Sequence, residues 1–206
     1  AARSAAPALR GHARPAALLS GLRLAPVAMA ASFVAGYGET AFVSLFPIWA
    51  LSTGHAESGA VAMASVFAVG ALAFQPLLGW MADRFARGRL LLAVTLVIGL
   101  CIGTVALSGH RLVLWPVLLV WGGASAGLYT LGLVRLGQMV RGPDLPAANA
   151  GFIMSYTLGM VVGPALGGLG MRLLEPHGLL VAMAAPTALL VLTLLVRRAD
   201  PATGSR

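Results

Sequence analysis

Long apolar runs separated by short polar breaks dominate the chain. Six runs can be marked, at roughly 25–50, 59–81, 90–108, 112–134, 147–171 and 178–196. Each is long enough to cross the hydrocarbon of a bilayer, which takes about 20 mostly apolar residues per helix. In lipid every backbone polar group must be satisfied internally, so a spanning segment is either a helix or a strand of a closed barrel. Barrel strands are short and alternate in polarity. These runs are continuous, and the pattern predicts an all-α integral membrane protein of six transmembrane helices.

Composition agrees, with 59% hydrophobic and 10% charged residues among 206 and a mean hydropathy of +0.90. All 14 basic residues are Arg. Arg3, Arg10, Arg14 and Arg23 precede the first run, Arg84, Arg87 and Arg89 lie between the second and third, Arg135 and Arg141 between the fourth and fifth, and Arg197, Arg198 and Arg206 after the sixth. Only Arg111 and Arg172 fall on the other side. The positive-inside rule then predicts cytoplasmic termini. The net charge of +8 reads as topology, and no nucleic-acid partner is expected, because no basic cluster sits on a soluble module. Trp49 and Trp115 fall at outer helix ends and Trp80 at an inner one, where interfacial anchors belong.

The Arg- and Ala-rich opening, residues 1–24, reads as a flexible basic cytoplasmic linker, residues 25–198 as the six-helix bundle, and 199–206 as a cytoplasmic tail. Arg23 interrupts the early apolar stretch and hydrophobicity continues to Ala50, which argues against a cleaved signal peptide. No Met occurs before Met29, so the chain is expected to be a piece of something longer. Cys101, the one cysteine, lies inside the third run and is assigned to packing. Arg, Ala and Gly without any Lys fit a high-GC bacterial gene, and the bacterial inner membrane is the expected location.

Helices two and five share a pattern. Pro76, Leu78, Gly79 and Arg84 recur as Pro164, Leu166, Gly167 and Arg172, each offset by 88. A three-plus-three inverted repeat would place the two helices in this correspondence, and such repeats mark secondary transporters.

The loop "GWMADRFARGRLL", residues 79–91, resembles the cytoplasmic signature of the major facilitator superfamily, Gly-x-x-x-Asp-Arg-x-Gly-Arg-Arg/Lys. Gly79, Asp83, Arg84 and Arg87 occupy the matching places, while Ala86 and Gly88 depart from the family preference. Gly79 is expected to let the second helix approach a neighbour, and Asp83 to accept from the amides opening the third helix and pair with an Arg, forming a cytoplasmic latch between bundles. The alternative is a solvated loop serving charge topology alone. The stretch "GMVVGPALGG" resembles the fifth-helix motif of proton-coupled drug antiporters in that superfamily, through Gly159, Gly163, Pro164, Gly167 and Gly168. Glycines four apart present a flat groove to another helix, and Pro164 frees a carbonyl and kinks the rod. Plain tight packing is the competing account.

From about Arg23 to Arg198 the order of motifs resembles the C-terminal half of the YcaD-like subgroup. That resemblance implies helices 7–12 of a twelve-helix secondary transporter. It also implies a small-molecule substrate, the lipid bilayer and a missing N-terminal six-helix half as partners, and alternating access with the site near the bilayer midplane. A non-transporting membrane scaffold or sensor with the same fold is the alternative. No His-Glu-x-x-His, Gly-x-Ser-x-Gly or Lys supports an enzyme, and no metal or cofactor is expected.

Glu39 is the one charged residue between Arg23 and Glu57. At about 1.5 Å per residue it lies about 21 Å along a helix that crosses a core about 30 Å thick. A carboxylate there lowers its cost by staying protonated, which makes Glu39 a candidate proton carrier. Gly36 and Gly38 weaken the helix beside it. The competing account pairs it with an Arg of the missing half or with a neighbouring hydrogen bond. Tyr37, Gln75, Tyr129 and Tyr156, with Ser44 and Ser155, are the other polar groups inside spans, suggesting a modestly polar cavity.

Overall fold

The computed structural model describes residues 25–108 and 111–199, so the basic opening at 1–24, Gly109, His110 and residues 200–206 of the tail lie outside it. The described residues form helices α1 (Pro26–Ser52), α2 (Glu57–Ala73), α3 (Gln75–Arg84), α4 (Arg87–Leu107), α5 (Arg111–Met139), α6 (Leu145–Leu173) and α7 (Gly178–Ala199), with a 3-10 turn at Gly142–Asp144. Six helical spans are long and apolar enough to cross a membrane, with α2 and α3 together making the second. The described residues therefore form a multi-pass bundle with the six spans expected.

One expected rod is interrupted. The second run, expected as a continuous helix over 59–81, breaks at Phe74 between α2 and α3. Pro76 sits in the first turn of α3. Its missing N–H leaves the Leu72 carbonyl without its helical partner and its ring crowds the preceding turn, so the helix restarts there. Pro47, Pro116, Pro164 and Pro186 instead lie inside helices that continue through them.

Because lipid is as apolar as a helix side, association within a bilayer rests on close packing and interhelical hydrogen bonds. Glycine supplies the first. In α1 and α6, a Cβ at Gly36 would collide with the Tyr156 carbonyl, one at Gly159 with the Phe33 carbonyl, and one at Gly163 with the Tyr37 carbonyl. In α2 and α5, a Cβ at Gly70 would collide with the Leu119 carbonyl and one at Gly122 with the Phe67 carbonyl. The two clasps correspond residue by residue: Gly36 and Phe33 map onto Gly122 and Leu119 with an offset of 86, and Phe67 and Gly70 onto Tyr156 and Gly159 with an offset of 89. The same relation between α2–α3 and α6 was legible at an offset of 88 for Pro76 and Pro164. The one-residue change falls across the break at Phe74, where an interrupted helix absorbs a slip in register. This internal correspondence is what an inverted repeat produces.

Hydrogen bonds reinforce the first clasp. Ser32 Oγ donates to the Phe152 carbonyl at 2.7 Å, and Ser155 Oγ donates to the Met29 carbonyl at 2.9 Å. The core between the clasps is aromatic: Phe42 stacks on Phe46 and Phe67 at 4.3 and 3.9 Å between centroids, and the Trp121 ring meets Phe42 edge-on at 5.1 Å. Cys101 is buried within this cluster of packed residues, as its sequence position suggested. Trp49 departs from its expected anchor role. It is buried, and its Nε1 donates to the Pro176 carbonyl at 2.7 Å, tying α1 to the loop before α7. Trp80 is exposed on α3, and Trp115 is partly buried against the core.

Candidate functional site

Beside the clasps lies a cavity of about 480 Å³, bounded by α1, α2, α3, α5 and α6. Helical spacing decides which residues reach it. Ala68, Ala71, Leu72 and Gln75 follow one face of the second span, and Gly122, Ser125, Ala126, Tyr129 and Thr130 one face of α5, each at intervals of three and four. Glu39 and Val43 come from α1, and Tyr156 from α6.

Glu39 is exposed to this space, and the Tyr156 hydroxyl donates to its Oε2 at 2.7 Å. A cross-helix hydrogen bond thus stands where the sequence offered no obvious partner. The backbone explains the distance: Gly36 and Gly159 bring α1 and α6 to carbonyl contact one turn away, so a tyrosine on α6 reaches a glutamate on α1. The Tyr156 ring is braced by Tyr129, edge to face at 5.0 Å, and Tyr129 in turn by Phe152 at 5.2 Å. Either protonation state of the carboxyl fits. Oε2 accepts from tyrosine whether or not Oε1 holds a proton.

The structure brings Glu39, Gln75, Tyr129 and Tyr156 together and sets Tyr37 apart. Tyr37 is buried on the far side of α1, its hydroxyl donating to the Ala182 carbonyl of α7 at 3.0 Å. Ser155 is likewise spent on helix pairing. Gln75, exposed at the head of α3, makes no hydrogen bond with a described residue. Ser125 and Thr130 also line the cavity but were not singled out in the sequence, although Ser125 lies four residues before Tyr129 and Thr130 four after Ala126. Thr130 Oγ1 donates to the Ala126 carbonyl at 3.1 Å, within its own helix.

The signature loop lies between α3 and α4. Arg84 stacks on Trp80, with its guanidinium carbon 4.5 Å from the ring centroid. Arg87 Nε donates to the Ala82 carbonyl at 3.3 Å, capping the end of α3. Asp83 is exposed, and among the described residues it forms no hydrogen bond or ion pair. The expected bond from Asp83 to the start of α4 is not made, since the residue before that helix is Ala86 with no side-chain cap. Gly79 also departs from its expected packing role, because a Cβ there would meet nothing within 4 Å. Gly88, where the family prefers a basic residue, has space for the Arg135 guanidinium, whose Nη1 would lie 3.0 Å from a Cβ at that position.

In α6 the glycines divide. Gly159 and Gly163 touch the backbone of α1, whereas Gly167 faces the Leu45 side chain, with 2.7 Å from a built Cβ to its Cδ1, and Gly168 faces open space. Pro164 lies inside the helix one residue after the contact at Gly163, and its missing N–H leaves the Met160 carbonyl unpaired within the helix.

Comparison with known proteins joins these observations to a family. A family model described as the Major Facilitator Superfamily matches residues 28–206. The uncharacterized MFS-type transporter YfkF of Bacillus subtilis (strain 168) is 29% identical over 153 residues, covering 74% of this chain and 39% of the relative. The uncharacterized MFS-type transporter Ent638_1421 of Enterobacter sp. (strain 638) is 28% identical over 178 residues, covering 86% of this chain and 46% of the relative. The uncharacterized MFS-type transporter YE1530 of Yersinia enterocolitica is 35% identical over 123 residues, covering 60% and 31%. The chain spans less than half the length of these relatives. The match to the family model runs through all six spans, the signature loop and both glycine clasps, and the chain belongs to the major facilitator superfamily.

Proposed function

We propose that the chain is the C-terminal six-helix half of a secondary active transporter, of the YcaD-like kind, that moves a small molecule by alternating access and couples movement to protons through Glu39. Family membership points to transport and away from an enzyme. The observation that carries the finer reading is the Glu39–Tyr156 pair, an ionisable group exposed to a cavity of about 480 Å³ inside a membrane bundle. Ionisable residues at such depth mark ion and substrate paths because their desolvation must be offset by function. A second six-helix bundle would close the open side of the cavity. On this reading the protein sits in a bacterial inner membrane with cytoplasmic termini, consistent with Arg84, Arg87, Arg89, Arg135, Arg141 and Arg197 at one end of the bundle.

Alternating access has a direct test that needs no knowledge of the substrate. In the full gene product freed of other reactive cysteines by Cys101→Ala and similar changes, Gln75→Cys is expected to react with a membrane-impermeant thiol reagent from one side, and from the other when an imposed pH gradient is reversed. Labelling that never changes side would refute the mechanism.

Asp83, unpaired among the described residues, is proposed to latch onto the partner bundle on the cytoplasmic side. Asp83→Asn is then expected to raise cytoplasmic labelling of Gln75→Cys several-fold, with expression and membrane insertion unchanged. Unaltered labelling removes the latch and leaves the loop as a charge-topology element.

A further inference from the structure

We propose that a groove between α1, α6 and α7 holds one acyl chain of an anionic phospholipid, with the lipid phosphate at Arg197. The groove has a volume of about 340 Å³ and shares no lining residue with the cavity at Glu39. Membership of a membrane-transporter family puts it in a bilayer, and the inference needs neither proton coupling nor alternating access.

The groove is a crevice and not a flat helix face. Met29, Val34 and Leu190 are buried at its floor, while Leu158 and Leu189, 52% and 65% exposed, stand at its rim. Along α1 it runs from Pro26 to Val34, about 12 Å at 1.5 Å per residue. Two hydroxyls line it, and both are already used. Ser155 Oγ donates to the Met29 carbonyl at 2.9 Å, and Thr193 Oγ1 donates to the Leu189 carbonyl at 2.8 Å. The walls therefore meet an occupant through apolar contact, which suits a hydrocarbon chain better than a polar solute.

Charge selects the lipid. On α7 the lining positions Pro186, Leu189, Leu190 and Thr193 follow one face at steps of three and four, and Arg197, one turn past Thr193, continues that face. Arg197 is exposed. It stands where α7 ends and where α1 and α6 begin, the end of the bundle that also carries Arg84, Arg87, Arg135 and Arg141. A basic side chain beside a crevice between transmembrane helices draws an anionic headgroup. The long stem of Arg197 lets its guanidinium rise from the apolar stripe to phosphate depth, where it can pair with two phosphate oxygens at once. A zwitterionic headgroup brings the same phosphate with its own cation, so it gains less from Arg197. Seated there, the acyl chain backs the contact of α1 with α6, because Met29 and Ser155, which line the groove, are the partners in one of its serine bonds.

The test uses the full gene product in dioleoylphosphatidylcholine bilayers, with Leu189→Trp as a reporter at the rim. Bromine on an acyl chain quenches a tryptophan that it touches, so the reporter signal, taken as the difference from the parent, reads lipid in the groove. Brominated phosphatidylglycerol is expected to half-quench the reporter at a mole fraction about fivefold below that of brominated phosphatidylcholine, the ratio that one arginine near a lipid surface provides. With Arg197→Gln added the two lipids should quench alike, and with Arg197→Lys the preference should remain. Leu100→Trp, at a position on α4 that is 71% exposed, serves as the control and should show no preference. Equal quenching by the two lipids at Leu189 would leave ordinary annular lipid. The same preference at Leu100, or a preference that survives Arg197→Gln, would place the selectivity elsewhere. Absence of quenching at Leu189 by either lipid would show that another part of the protein covers the groove. Each of these outcomes overturns the proposal.

Discussion

Gly159→Leu and Gly163→Leu are each expected to leave little folded protein in detergent, whereas Gly168→Leu on the same helix melts with the parent. The first two positions lie where a Cβ would collide with the Phe33 and Tyr37 carbonyls of α1. Backbone cannot turn aside as a side chain can, so relief requires the helices to separate. Separation would break the serine bonds from Ser32 to Phe152 and from Ser155 to Met29, and would strip close packing from an interface that has no hydrophobic drive in lipid. Overpacking of a core ordinarily costs about 1–3 kcal/mol. A loss of about 3 kcal/mol or more is expected here, because the obstacle is backbone. At Gly168 nothing lies within 4 Å of a built Cβ, and the cost should stay within about 0.5 kcal/mol. Gly122→Leu tests the equivalent clasp, against the Phe67 carbonyl. Size-exclusion chromatography of heated, solubilised protein measures all four. A Gly159→Leu protein that melts with the parent would show that the clasp does not hold α1 and α6 together.

The six spans were legible because a bilayer demands length and apolarity, and both are written in the runs. Which way each helix faces was not. In a soluble bundle a polar stripe orients a helix, but here lipid and core are equally apolar, so Tyr37 and Tyr156 looked alike in the sequence. Rotation about α1 sends Tyr37 to Ala182 and leaves Glu39, two residues on, at the cavity. The glycines were similarly ambiguous. Gly79 and Gly159 both matched family patterns, yet only Gly159 touches a neighbour within this chain. The break at Phe74 was hidden inside an unbroken apolar run, although Pro76 marked it, because proline is tolerated within membrane helices and four other prolines here interrupt nothing. Spacing of four would have found Ser125 from Tyr129, and Thr130 from Ala126, had the cavity face been known.

Glu39→Gln is expected to abolish the response of the cavity to pH while leaving the fold intact. The substitution keeps the shape of the side chain, and the amide oxygen can still accept from Tyr156, so the cross-helix bond of 2.7 Å has a replacement and the glycine contacts beneath it are untouched. What is lost is the ability to take up a proton. If protonation of Glu39 biases an inward-open against an outward-open state by about 1.4 kcal/mol, the ratio of the two changes tenfold. The labelling rate of Gln75→Cys from a given side should then change by about that factor in the parent when the pH on the side facing the cavity is lowered. In Glu39→Gln the rate should be flat with pH, and in Glu39→Asp the response should return in part, because the carboxyl is restored but sits one methylene short of Tyr156. Tyr156→Phe separates positioning from titration: the proton site remains, its brace is gone, and a shifted but surviving pH response is expected. A Glu39→Gln protein whose labelling follows pH as the parent does would move proton coupling to another group, and would leave the Glu39–Tyr156 bond as a structural tie between α1 and α6.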